Sequence, residues 1–120
     1  MELPTDVTLR AGTLEDDLLE RSRAWLTEEE RRRFEAYGSR SRARQFLLGR
    51  GLVRELLADR FRAAPGEIRV RTDEDGAPSV AGRPECRISI AHSGTRAVAV
   101  AANRSIGVDL ERIQPRRDDL

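Results

Sequence analysis

The segment Ser41-Arg42-Ala43-Arg44-Gln45-Phe46-Leu47-Leu48-Gly49-Arg50-Gly51-Leu52-Val53-Arg54-Glu55-Leu56-Leu57-Ala58-Asp59-Arg60-Phe61 decides the fold of this chain. Leu48, Leu52, Val53, Leu56, Leu57 and Phe61 recur at the three- and four-residue intervals that line up one face of an α-helix. Arg44, Gly51, Glu55 and Asp59 fall together on the opposite side, so the pattern predicts a long helix over residues 41–61 with one apolar and one polar face. Such a helix must cover another apolar surface.

Upstream, Val7 to Arg10 reads as a short strand, and Thr13-Leu14-Glu15-Asp16 as the opening of a first helix carrying Leu18, Leu19 and Trp25. Thr27-Glu28-Glu29-Glu30 is a stronger start signal. The threonine can cap the amides ahead of it, Glu30 can reach back, and the three acids suit the positive end of the helix dipole. That helix runs through Phe34 and Tyr37 to the break at Gly38-Ser39. Downstream, Ala64-Pro65-Gly66 ends the long helix and the pattern changes to short runs with strand alternation: Ile68 to Arg71, Arg87 to Ala91, Ala97 to Ala101 and Ile106 to Leu110. Asp73-Glu74-Asp75-Gly76 and Asn103-Arg104 read as turns between them. Helices first and strands afterwards predict a single α+β domain over residues 1–120, its long helix packed on a small antiparallel sheet.

Composition narrows the function classes. All 22 basic residues are arginine, but 21 acids offset them to a formal net charge of +1, leaving no global field to draw the chain onto nucleic acid. Aromatics, at 4%, are too few for base stacking, so no nucleic-acid partner is expected. The lone cysteine, Cys86, excludes an internal disulfide and fits a reducing interior. The N-terminus lacks a basic region followed by an apolar one, and no apolar run reaches membrane-spanning length; the expectation is a cytoplasmic protein with no membrane partner.

Three groups of residues could carry chemistry. On the strand Ile106 to Leu110, alternation turns Asp109 and Glu111 to one side, about 7 Å apart along the backbone. They make either a solvated acidic edge or half of a site for a hard cation such as magnesium. His92, the only histidine, stands at a strand end in Ala91-His92-Ser93-Gly94, where it is either a structural residue or, with Ser93 and nearby amides, an anion clamp. Arg31, Arg32, Arg33, Arg40, Arg42 and Arg44 could grip a phosphate or pair with Glu28, Glu29, Glu30 and Glu35 at helical spacing.

These segments, in order, resemble one family. Thr27-Glu28-Glu29-Glu30-Arg31 and Phe46-Leu47-Leu48-Gly49-Arg50-Gly51-Leu52-Val53-Arg54 resemble its "S/T-x-E-E … L-L-G-R-x-L-x-R" helices. Ile88-Ser89-Ile90-Ala91-His92-Ser93-Gly94 resembles its "F-N-I-S-H-S-G" strand end, and Gly107-Val108-Asp109-Leu110-Glu111 its "G-[IV]-D-[ILV]-E". The family is the surfactin-type 4′-phosphopantetheinyl transferases, and the match runs from about Leu26 onward.

The resemblance implies a fold, a reaction and roles. The fold is the N-terminal half of a two-half transferase. The reaction moves 4′-phosphopantetheine from coenzyme A to a serine of an acyl or peptidyl carrier protein. Asp109 and Glu111 match catalytic metal ligands for Mg2+, and His92 matches the histidine that holds the nucleotide 3′-phosphate. Gln45 stands where the family often has a basic residue, so Arg44, with Arg42, takes that place by proximity; Gly76-Ala77-Pro78 stands for the "G-K-P" adenine loop, without its cation. Ala91 replaces the serine before the histidine, and the family's "W-x-x-K-E" motif has no counterpart after Glu111. The expected partner is therefore a complementary C-terminal-half polypeptide forming a heterodimer, with the isolated chain inactive. The alternatives are self-association, as in the short trimeric acyl-carrier synthases, and a non-catalytic remnant that binds coenzyme A or a carrier protein.

Overall fold

A computed structural model of the chain describes residues 7–72 and 78–103. In chain order these form β1 (Thr8–Thr13), α1 (Leu18–Trp25), α2 (Glu28–Ala36), α3 (Arg40–Phe61), a 3-10 turn (Pro65–Glu67), β2 (Val70–Thr72), β3 (Pro78–Val80), β4 (Cys86–Ser93) and β5 (Arg96–Asn103). The architecture is α+β, as the pattern predicts. Among the described residues no helix is long and apolar enough to cross a membrane. The predicted strand Ile106 to Leu110 lies outside the described residues.

β1, β5 and β4 form one antiparallel sheet in that order, and β2 and β3 pair in a separate two-stranded ribbon. β5 is central, and the alternate positions that join the core with Leu47, Leu48, Leu52 and Val53 of α3 are all alanines, Ala97, Ala99 and Ala101. Small side chains there let the helix lie close to the strands. Gly12 of β1 continues that surface, since an added Cβ would come within 3.0 Å of Leu52 Cδ2.

The α2 start follows its sequence signal. Thr27 Oγ1 accepts from Glu30 N at 3.2 Å and Glu30 Oε1 accepts from Thr27 N at 2.9 Å, closing the capping box. Thr13 behaves differently from its predicted role as a helix opening. Asp16 accepts from Thr13 N at 2.8 Å and folds residues 13–16 into a turn, so α1 begins only at Leu18. Ile68 ends the 3-10 turn as a buried core residue, which moves β2 two residues later than its alternation suggests. Asn103 is the last residue of β5, paired with Cys86, and not part of a turn.

The two-faced helix is also revised. Nine consecutive residues of α3, Phe46 to Arg54, are buried, so its middle is enclosed on every side. Gly51, assigned to the polar face, is the point where α1 crosses: an added Cβ would meet Ser22 Oγ at 1.9 Å. Only toward the C-terminal end does that face carry charge, where Glu55 accepts from Arg10 and Arg21, at 3.4 and 3.1 Å, and Asp59 pairs with Arg10.

Glu30 departs furthest from its local reading. Glu28 does pair with Arg32 at helical spacing, 3.6 Å apart and exposed. Glu30 turns inward, only 1% exposed, and takes both ends of the Arg54 guanidinium, Nη1 to Oε2 at 2.9 Å and Nη2 to Oε1. Arg50 Nε lies 3.6 Å from the same carboxylate. One acid thus caps α2 and holds it against α3.

Removing one partner of a buried ion pair strands the other charge, so Arg54→Met is expected to lower the unfolding free energy in urea by about 3–5 kcal/mol. Gly51→Ala should cost about 1–3 kcal/mol through overpacking. Part of that loss should return in the Gly51→Ala/Ser22→Ala double variant, because the closest clash is with the serine oxygen.

Candidate functional site

The β4–β5 hairpin turns at Gly94-Thr95, with Gly94 at φ +59°, a conformation that favours glycine. His92 and Ser93 are the last rungs before that turn, opposite Ala97 and Arg96. α3 holds them from behind. Gln45 acts twice: its side-chain amide donates to the Gly94 carbonyl at 2.8 Å, and its own carbonyl lies 2.9 Å from His92 Nε2. A carbonyl only accepts, so Nε2 carries the proton. One turn later, Gly49 makes room for the ring, since a Cβ there would sit 3.0 Å from His92 Nε2 and 2.9 Å from Ile90 Cγ2.

In front of His92 opens a cleft of about 590 Å³ lined by Tyr37, Arg42, Gln45, Phe46, Ser93 and Gly94 as well as the imidazole. Phe46 organises it: the Tyr37 ring packs 5.6 Å away, and the guanidinium groups of Arg33 and Arg50 lie 5.8 and 5.0 Å from its centroid. No acid stands among the described lining residues, whereas Arg42, Ser93 and Tyr37 all carry donors. That combination suits an anion with an apolar portion.

The sequence-nominated residues separate into groups. His92 and Ser93 share the cleft. Arg44 does not reach it; its Nη2 donates to the Leu14 carbonyl at 2.9 Å, bracing the turn before α1. Arg42, three residues from Gln45, lines the cleft instead. Pro78 stands on the β2–β3 ribbon as the cross-strand partner of Thr72, beside Arg71, Arg83 and Arg87 in another depression. The two places are linked through Arg50, which stacks on Phe46 and donates from Nη2 to Thr72 Oγ1 at 3.0 Å. Gly76, Asp109 and Glu111 lie outside the described residues. Among the described residues no cluster of three or more metal-ligating side chains exists.

Sequence reasoning missed Gln45 and Gly49 as the seat of the histidine, and Phe46 and Tyr37 as cleft walls. The available signal was spacing: Gln45 and Gly49 are four apart, hence on one face of α3.

No protein-family model matches the chain. Among curated proteins it is 28% identical over 96 residues to the 4′-phosphopantetheinyl transferase Sfp of Bacillus subtilis strain 168, covering 80% of this chain and 43% of that protein. It is 31% identical over 112 residues to the 4′-phosphopantetheinyl transferase HetI of Nostoc sp. PCC 7120, covering 90% and 42%. The chain is a relative of the phosphopantetheinyl transferases. It spans less than half the length of these curated relatives. Its fold covers nearly all of a shorter one: the holo-(acyl-carrier-protein) synthase of Bacillus anthracis, solved in complex with CoA (3′,5′-ADP), superposes with a TM-score of 0.67 at 26% identity. That match spans 82% of this chain and 94% of that one. The synthase of Neisseria meningitidis, at 14% identity and a TM-score of 0.63, shares the fold.

Glycine-to-alanine changes usually favour an exposed helix by about 1 kcal/mol. Gly49→Ala should instead displace the imidazole and shift its proton NMR signals, which are unambiguous because His92 is the sole histidine. Gly38→Ala, with nothing within 4 Å of the added carbon, should leave those signals in place.

Proposed function

We propose that this chain carries part of the active site for transferring 4′-phosphopantetheine from coenzyme A to a serine of an acyl or peptidyl carrier protein. The observation that carries the reading is the His92 cleft, donor-lined and without a described acid, in a relative of enzymes of that name. The nucleotide 3′-phosphate would be met by His92, Ser93 and Arg42, and the adenine by the ribbon carrying Pro78. The serine oxygen attacks the β-phosphorus and a new O–P bond forms. The bond from that phosphorus to the bridging oxygen breaks, adenosine 3′,5′-bisphosphate leaves with the electron pair, and the serine proton passes to a base.

Asp109 and Glu111, two hard oxygen donors separated by one residue in the sequence, fit Mg2+ in chemical type. Bound there, magnesium would supply charge neutralisation at the pyrophosphate. The remaining ligands and a phosphate-binding lysine would come from a complementary half, on this polypeptide or another, in keeping with the greater length of the curated relatives. A cytoplasmic location belongs to the same reading and accords with a single, buried cysteine. Self-assembly is favoured by one observation, the 94% coverage of the Bacillus anthracis synthase chain.

Mass spectrometry of an apo carrier protein tests this. With coenzyme A, magnesium, this chain and a second-half polypeptide, the carrier should gain one phosphopantetheine, and Asp109→Ala should abolish the gain. A gain with this chain alone would favour self-assembly. If no mixture modifies a carrier that an authentic transferase does modify, the catalytic reading is overturned, and coenzyme A binding under those conditions would mark a non-catalytic remnant.

A further inference from the structure

Arg50 is an expensive residue to keep where it is. Its side chain is 5% exposed, and burial, reinforced by Arg33 and Arg54 and opposed by Glu30, pulls its guanidinium below the ordinary arginine value. Glu30 does not need it, because Arg54 already holds both carboxylate oxygens. Arg50 Nη1 is buried with no hydrogen-bond partner among the described residues. An apolar side chain of similar volume would fill the same space without these costs. What such a side chain could not do is donate to Thr72 Oγ1, 3.0 Å away.

Thr72 and Pro78 are cross-strand partners, the last described rung of the β2–β3 ribbon on the side of residues 73–77. Arg50 therefore grips the ribbon at that rung. It does so from the residue next to Gly49, which seats His92, while its guanidinium covers the Phe46 wall of the His92 cleft.

We propose that Arg50 is a positioning residue of the coenzyme site, fixing the Thr72–Pro78 rung relative to His92 so that both ends of a nucleotide are met together. The inference rests on the coenzyme A reading above. It predicts that the Arg50–Thr72 hydrogen bond matters for a ligand long enough to touch both places and not for one confined to His92.

The imidazole NMR signals of His92 provide the readout for two probes, adenosine 3′,5′-bisphosphate and inorganic phosphate. Thr72→Val and Arg50→Met should each weaken the bisphosphate by about tenfold, the scale of one lost hydrogen bond to a charged group. The double variant should be no worse than either single one, Thr72→Ser should bind like the parent, and phosphate affinity should not move. Should Arg50→Met fail to fold, the Thr72→Val and Thr72→Ser pair still decides. Unchanged bisphosphate affinity in Thr72→Val, or an equal loss for both probes, overturns the proposal. A parent chain whose His92 signals respond to neither probe overturns the coenzyme reading itself, and this inference with it.

Discussion

A carboxylate shut away from water holds this molecule together. Glu30 and Arg54 are 1% and 0% exposed, and neither could remain charged there without the other. Their bidentate geometry allows α2 one rotation and one height on α3. The same carboxylate closes the capping box of its own helix, so local order and tertiary docking share one side chain. Through α2 the constraint reaches the cleft, because Arg33 and Tyr37, on and just beyond that helix, are two of the groups set against Phe46.

Around this pair the fold is built on close approach. α3 is enclosed because its neighbours are small where they meet it: Ser22 from α1, Gly12 from β1, Ala97, Ala99 and Ala101 from β5. Two glycines of α3 answer them with different purposes. Gly51 admits a helix, and Gly49 admits an imidazole. Packing at these points leaves little room for relaxation, which is why single methyl additions are informative.

Much of this was legible in the chain, and the remainder was hidden for identifiable reasons. The Thr27 cap, the Gly38-Ser39 break and the limits of α3 are local signals, and local physics governs them. Strands β4 and β5 follow from alternation, with only their ends underestimated. Glu30 misled because charge pairing was sought at helical spacing, whereas its partner lies 24 residues away. Gly51 misled because a glycine has no side chain to announce a helix crossing. β3, three residues long and flanked by turn-forming residues, offers too little pattern to register. At the site, the histidine stood out by being unique, while Gln45 holds the imidazole through its backbone carbonyl, a group every residue has. Arg44 was nominated by nearness in sequence, yet one step along a helix turns a side chain by about 100°, and Arg44 ends against Leu14.

Gln45, Gly49 and Arg50 contact, in turn, the β4–β5 turn with its histidine, the histidine ring, and the β2–β3 ribbon. All three sit on one uninterrupted helix, where each residue advances the axis by about 1.5 Å. The spacing between the two gripping points is therefore set by a ruler about 7.5 Å long along the helix axis, from Gln45 to Arg50, and not by the length of any loop. Loops on this framework can change sequence, and with it chemistry, without altering the gauge. A residue added to or removed from α3 between Gln45 and Arg50 would change that gauge, and would rotate every side chain beyond the change out of register with Glu30.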